Sequence, residues 1–176
     1  LILAIFIGLL IFRVSLSTWK KIDISLIIFS FFLLTLVFFP LIGFEANGAS
    51  RWIRRLGFSF QPSELMKFSL IIYISSYCFR RMTEFKEKWL GFWKPVLVVI
   101  SAIALVLVEP DLGSSAVIFL ISLTIMFIAG APLKQMLIIF FMGLSVFISM
   151  ILLVPWRMNR ILSFVDPWSN YGERGY

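Results

Sequence analysis

The chain has 176 residues, of which 61% are apolar and 14% charged, and its formal net charge is +7. Soluble domains are about 45–50% apolar and about 25% charged, so this composition indicates a membrane protein. The sequence has no histidine and a single cysteine, Cys78. These counts exclude a histidine general base, a Ser-His-Asp triad, a histidine-ligated zinc and an intramolecular disulfide. The basic residues lie between apolar runs, as loop charges do in membrane proteins, which argues against nucleic acid as a partner.

The apolar runs predict an all-α fold, a polytopic transmembrane helical bundle of about six spans, because a span needs roughly 20 mostly apolar residues. The predicted spans are 1–12, 24–44, 62–79, 95–108, 112–129 and 136–154, and an outer loop follows at 155–176. No alternation typical of strands competes with them. We expect a single membrane domain over 1–176. We also expect an internal fragment, because the chain starts with Leu1 inside an apolar run and stops at Tyr176 in a polar loop.

The loop charges predict the orientation of the bundle. One set of alternate loops holds nine basic residues, namely Arg13, Lys20, Lys21, Arg80, Arg81, Lys86, Lys88, Lys94 and Lys134. The other set holds six, namely Arg51, Arg54, Arg55, Arg157, Arg160 and Arg174. Because cytoplasmic loops carry the excess of Lys and Arg, the first set is predicted to be cytoplasmic and the second to face outward.

The connection before the third span mixes turn, basic and apolar residues. Residues 47–50, with the sequence NGAS, are a turn by composition. Residues 51–58 then mix basic and apolar side chains, and such a segment can lie along the membrane surface with Trp52 at headgroup depth. Arg51 and its basic neighbours either are tolerated on this side or meet an anion there.

Two opposite charges, Glu64 and Lys67, stand at the start of the third span, where Pro62 suits the first helical turn. Their spacing puts them on one helix face. An ionisable residue in a span costs roughly 2.5–3.5 kcal/mol on insertion scales and usually faces a bundle interior or a watery cavity. A local ion pair and the wall of a polar cavity are compatible interpretations of this pair.

Two carboxylates, Glu109 and Asp111, flank Pro110 between the fourth and fifth spans. Asp111 suits the N-cap of the fifth span, where Asp is favoured. A metal or substrate site is the alternative, although two acids alone do not specify one.

Two arginines, Arg157 and Arg160, follow the sixth span and share one face if the segment is helical. At an outer membrane surface they suit a pyrophosphate or a lipid headgroup. The alternative is interfacial anchoring together with Trp156 and Trp168. The residues alone therefore favour an amphiphilic anionic substrate and do not name a reaction.

Four sequence blocks resemble the SEDS family of bacterial cell-wall proteins, which includes FtsW, RodA and SpoVE. The blocks are NGASRW at 47–52, FQPSELMK at 60–67, EPDLGS at 109–114 with AGA at 129–131, and RMNR at 157–160 with FVDPW at 164–168 and GY at 175–176. The last block and GFWKP at 91–95 are more similar to the FtsW branch. The departures are Glu109 where Gln is usual, Arg174 where a small residue is usual, and the extra Arg55.

The resemblance implies a peptidoglycan glycosyltransferase with about ten transmembrane helices. Such an enzyme polymerises lipid II, a substrate that is linked to undecaprenyl pyrophosphate. The same resemblance implies the bacterial cytoplasmic membrane at the division septum, a class B penicillin-binding protein and other divisome proteins as partners, and possible use of a divalent cation (Mg²⁺ or Mn²⁺). Alternatives are a lipid II flippase and a non-enzymatic division scaffold.

The resemblance also implies where the functional residues lie. The family's proposed catalytic aspartate lies beyond Tyr176, so we expect no catalytic residue in this chain and no activity of the fragment alone. The predicted substrate-binding residues are Arg51, Gln61, Glu64, Lys67, Arg157 and Arg160, and the predicted supporting residues are Trp52, Ser63, Asp111 and Asp166.

Overall fold

The computed structural model describes residues 8, 11–39, 43–46, 49–55, 58–154 and 158. The elements in chain order are α1 (Leu16–Leu36), β1 (Gly43–Ala46), β2 (Ala49–Arg55), β3 (Phe58–Phe60), α2 (Pro62–Arg80), α3 (Met82–Glu87), α4 (Trp89–Val108), α5 (Leu112–Ile128) and α6 (Leu133–Leu152). The chain divides into two compact units, Leu1–Leu133 and Lys134–Tyr176. The predicted class, an all-α polytopic membrane bundle, is confirmed, and a small sheet is added to it.

Four predicted spans fall on observed helices. The spans 62–79, 95–108, 112–129 and 136–154 correspond to α2, α4, α5 and α6, although α4 already begins at Trp89. By length and apolarity, α4 and α6 qualify as membrane-crossing helices, with mean hydropathies of 2.2 and 2.3. Helix α5 is apolar but shorter, with 17 residues. The prediction for 1–12 falls almost entirely outside the described residues.

The second predicted span is displaced towards the N-terminus. Helix α1 begins at Leu16 and ends at Leu36, whereas the sequence predicts 24–44. Ser15 caps the helix, since its hydroxyl accepts a hydrogen bond from the backbone N–H of Thr18. The predicted span begins after Asp23, since a charge within a span costs free energy. The structure gives Asp23 a partner, described below, and the helix includes it.

Residues 43–60 contain a three-stranded antiparallel sheet of order β1-β2-β3, which the sequence did not predict. Strand β2 pairs with β1, Ala46 opposite Ala49, and with β3, Ile53 opposite Phe60. The tip of the predicted turn, residues 47–48, lies outside the described residues. The segment predicted to lie on the membrane surface is thus a strand for most of its length, because hairpin pairing satisfies its backbone groups.

Helices α1 and α2 run antiparallel, because Asp23 meets Arg80 near one end and Ser30 meets Ser69 further along. The hydroxyls of Ser30 and Ser69 lie 2.6 Å apart, and both residues are fully buried. Small residues at such a contact let helix backbones approach closely, and paired hydroxyls satisfy each other away from water. The interface therefore combines close packing with a buried polar contact.

The corner between α2 and α4 is fixed by three residues. Pro95 lies inside α4 and has no N–H to donate to the carbonyl of Gly91 one turn earlier. The Tyr77 hydroxyl donates to that carbonyl instead, at 2.8 Å. Gly91 also lies so close to α3 that a Cβ added there would be 2.1 Å from the carbonyl oxygen of Glu84. The packing of α2, α3 and α4 at this corner therefore requires glycine at position 91.

Candidate functional site

Two sequence blocks that are distant in the chain meet through a hydrogen bond between Gln61 and Asp111. The Gln61 amide donates to Oδ2 of Asp111 at 3.0 Å, and Oδ1 of Asp111 accepts from the backbone N–H of Ser114 at 3.0 Å. Asp111 is therefore the N-cap of α5, as predicted, and it also binds the residue that precedes α2. One carboxylate joins the starts of α2 and α5.

The same end of the bundle holds further buried polar residues. Ser63 is fully buried, and Glu109 is 1% exposed. The Ser115 hydroxyl donates to the carbonyl of Asp111 at 2.8 Å, which supports the first turn of α5. Burying polar groups in a bundle interior costs free energy, so such groups usually mark a structural contact or a functional site. Their concentration at the two motifs marks this end as the candidate site.

Glu64 and Lys67 form the local ion pair that their spacing predicts. The Lys67 ammonium lies 2.6 Å from Oε1 of Glu64, and the side chains are 18% and 59% exposed, respectively. A pair at this helical spacing stabilises a helix by only about 0.2–0.5 kcal/mol. Glu64 is the exposed partner, and Lys67 is mostly covered with its ammonium held in one place.

Four predicted site residues lie wholly or partly outside the described residues. The backbone of Arg51 belongs to β2, but its side chain lies outside the described residues, as do Arg157, Arg160 and Asp166. Trp52 also belongs to β2, is half-buried and lies opposite Phe44 of β1. The structure thus brings Gln61 and Asp111 together, pairs Glu64 with Lys67, and leaves the contacts of the arginines as predictions.

Sequence reasoning missed a buried ion pair at the opposite end of α2. Asp23 is 1% exposed, and its Oδ2 lies 2.6 Å from Nη2 of Arg80. Nη1 of Arg80 donates to Oδ1 of Asp23 at 3.3 Å and to the carbonyl of Lys20 at 3.2 Å. The guanidinium therefore donates to both carboxylate oxygens of Asp23 through two nitrogens. The signal was Asp23 itself, a lone acid in an apolar run, which requires a buried partner.

The same end carries a second, exposed ion pair. Nη1 of Arg81 donates to Oε2 of Glu84 at 2.8 Å. This hydrogen bond holds the pKa of Glu84 below its usual value, and the nearby Lys94 acts in the same direction. A cavity of about 750 Å³ opens beside it, lined by Tyr73, Tyr77 and charged side chains that include Arg80 and Lys94.

The described residues do not supply a metal centre. Within the part of the chain that the structure describes, no three Asp, Glu, Cys or His side chains are grouped to hold an ion. Asp111 is already engaged by Gln61 and by the first turn of α5. A hard divalent cation takes about six oxygen ligands. Because Mg²⁺ usually keeps several waters and is bound through one or two carboxylates together with substrate phosphates, the use of a divalent cation stays a prediction.

Comparisons with known proteins agree with the motifs. The family model of the FtsW/RodA/SpoVE group, described as "Cell cycle protein", matches residues 1–176. A probable peptidoglycan glycosyltransferase FtsW of Saccharophagus degradans is 41% identical over 169 residues, which cover 96% of this chain and 44% of the relative. The corresponding Escherichia coli protein, also named probable, is 36% identical over 176 residues, which cover 100% of this chain and 42% of the relative.

Two solved structures share the fold. The crystal structure of RodA from Thermus thermophilus matches with a TM-score of 0.68 and 26% identity, over 84% of this chain and 46% of the other. A chain from a study of polymerization and crosslinking by a peptidoglycan synthase complex matches with a TM-score of 0.70 and 26% identity, over 93% and 48%. The present chain spans less than half the length of each of these four proteins.

Proposed function

The chain belongs to the FtsW/RodA/SpoVE family of cell cycle proteins, and from that membership we propose that the full-length protein is a peptidoglycan glycosyltransferase. Its substrate would be lipid II, and its reaction the growth of glycan strands with release of undecaprenyl pyrophosphate. The names of the FtsW relatives support this activity. The present chain contributes part of the substrate-binding wall to that enzyme.

The observation that carries the proposal is the hydrogen bond from Gln61 to Asp111. The two residues are 50 positions apart and belong to two different motif blocks. Their contact puts the starts of α2 and α5 side by side, with buried Ser63 and Glu109 at the same end. Capping the start of each helix requires only residues of its own block. The contact between the two blocks goes beyond capping and is expected if both contribute to one site.

Lys67 is the cation that we assign to the pyrophosphate. When the bond between the anomeric carbon of the donor and the pyrophosphate oxygen breaks, negative charge develops on the departing pyrophosphate, and a preorganised cation stabilises it. Glu64 holds the Lys67 ammonium in position, while 18% exposure leaves that side chain within reach of a ligand. Arg51, Arg157 and Arg160 remain predicted phosphate contacts. The base that deprotonates the acceptor hydroxyl is expected beyond Tyr176. We propose that residues outside the described part of the chain complete the ligands of a divalent cation in the full-length enzyme.

Partners and location follow from the same proposal. We propose a class B penicillin-binding protein as the crosslinking partner, supported by the match to a chain of a peptidoglycan synthase complex. The chain is a membrane protein, and its place in the bacterial cytoplasmic membrane at the division septum is part of the proposal.

The test is polymerisation of purified lipid II by the full-length protein reconstituted with its penicillin-binding protein, whose own transpeptidase is blocked by a β-lactam. Appearance of glycan polymer on a gel supports the proposal. Translocation of the lipid II headgroup across vesicles without polymer would support a flippase, and neither activity would support a scaffold. Either result would overturn the glycosyltransferase assignment.

A further inference from the structure

We propose that the cavity of about 750 Å³ at the predicted cytoplasmic end of α2 binds the phosphate headgroup of an anionic phospholipid. The ligand would come from the inner leaflet of the membrane, with its phosphate on the cationic side chains and its glycerol and upper acyl chains on the aromatic ones. This site lies at the opposite end of α2 from Gln61, Glu64 and Lys67 and does not depend on the proposed glycosyl transfer.

The size and lining of the cavity suit such a ligand. Clefts that hold small organic ligands measure about 300–1,000 Å³ and are mostly apolar with a few placed polar groups. Here Tyr73 and Tyr77 contribute aromatic surface, and Arg80, Arg81 and Lys94 contribute positive charge. A lipid headgroup joined to acyl chains has the same division into an anionic and an apolar part.

The charge balance of the lining leaves a surplus of positive charge. Arg80 is paired with the buried Asp23, and Arg81 with Glu84. Among the ion pairs of the described residues, none includes Lys94. Arg80 is held by two acceptors and is still 39% exposed, so its orientation is fixed before a ligand arrives. Preorganised guanidinium groups favour phosphate because their N–H donors match its oxygens.

The position of the cavity along the membrane normal also fits. Trp89 and Trp93 stand in the first turns of α4, with ring centroids 5.4 Å apart, and Trp and Tyr mark the headgroup level in membrane proteins. The adjoining loops carry most of the loop cations, which assigns this end to the cytoplasmic leaflet. That leaflet is rich in anionic lipids, and basic pockets between helices bind their headgroups.

The experiment uses the full-length protein in nanodiscs of phosphatidylcholine with a small fraction of phosphatidylglycerol, and native mass spectrometry counts the lipids retained. Near a membrane surface each cation contributes roughly a fivefold factor in affinity. We therefore expect Lys94→Gln and Arg81→Gln each to weaken phosphatidylglycerol retention by about fivefold. Glu84→Gln removes the only carboxylate among the described lining residues and should strengthen retention by a similar factor.

Lys88→Gln is the matched control, because Lys88 is an exposed cation at the start of α4 that does not line the cavity. Loss of retention in Lys94→Gln but not in Lys88→Gln, together with the gain in Glu84→Gln, supports the proposal. Equal effects of Lys94→Gln and Lys88→Gln would mean that only the general charge of the loop matters, which overturns it. Displacement of the lipid by millimolar inorganic phosphate would overturn the lipid assignment in favour of a soluble phosphate ligand. No retained phosphatidylglycerol in the wild-type protein would also overturn it.

Discussion

Replacing Arg80 should destabilise the fold far more than replacing its partner, Asp23. Asp23 is 1% exposed with Arg80 in place, so removing the guanidinium leaves a largely covered carboxylate without its charged partner. Removing one partner of a buried ion pair costs about 3–5 kcal/mol. Arg80 is 39% exposed and the pair is only half-buried on that side, so we expect the lower end, about 3 kcal/mol, for Arg80→Gln.

The reverse substitution leaves a charge that can be solvated. In Asp23→Asn the guanidinium of Arg80 keeps its bond to the carbonyl of Lys20 and can turn towards solvent. The loss is then close to that of an ordinary hydrogen bond, about 1 kcal/mol. In the double variant no charge is buried, so its free energy of unfolding should lie near that of Asp23→Asn, well above that of Arg80→Gln.

The assay is equilibrium unfolding of the full-length protein in mixed detergent micelles, followed by tryptophan fluorescence for the wild type, both single variants and the double variant. Arg81→Gln is the control, since it removes the neighbouring arginine, whose ion pair is exposed; its effect should stay below about 0.5 kcal/mol. Equal losses in the two single variants, or losses that simply add in the double variant, would show that Arg80 does not stabilise a buried charge on Asp23.

Three further predictions concern helices α1 to α4. Two of them test packing, and the third tests an ion pair. Gly91→Ala should cost about 1–3 kcal/mol of unfolding free energy, because its Cβ would meet the carbonyl of Glu84 at 2.1 Å; Gly113→Ala, whose nearest contact is 3.7 Å, is the control and should be tolerated. Ser69→Leu should cost about 1–3 kcal/mol in the same assay, because that position is fully buried against α1; an unchanged unfolding midpoint would contradict the packing. The ion pair of Glu84 should make a small, pH-dependent contribution: the pKa of Glu84 is lowered in the folded state, so the contribution is complete above its usual value of 4.5 and is lost as the pH falls through the lowered value. Glu84→Gln should abolish this part of the acid dependence of thermal unfolding, and an unchanged acid profile would show that another group causes it.

Features set by neighbours in sequence could be predicted from it. The cap of α5 by Asp111 and the ion pair between Glu64 and Lys67 depend on contacts three residues apart, which spacing alone reveals. The position of four of the helices also followed from apolar runs of sufficient length.

Features set by partners distant in sequence could not be predicted in this way. Asp23 and Arg80 are 57 residues apart, and hydropathy placed both outside the predicted spans, the first just before 24–44 and the second just after 62–79. Gln61 and its partner Asp111 are likewise 50 residues apart, so their contact could not be predicted from spacing either. The sheet was missed because the apolar residues of β1 continue the run of α1, and only pairing with β2 separates them.

In the glycan-polymerising enzyme that we propose, Lys67 binds the leaving pyrophosphate of a lipid-linked sugar. The most direct measurement is the rate of lipid II polymerisation by the full-length protein and its penicillin-binding protein, with Lys67→Gln compared with Lys134→Gln. Lys134 is an exposed cation in the first turn of α6 and serves as the control. Because removing one preorganised charge contact in a catalytic site typically costs about 100-fold or more, we predict that Lys67→Gln loses at least that much activity while keeping its unfolding midpoint, and that Lys134→Gln stays near wild type. Normal polymerisation by Lys67→Gln would contradict the account.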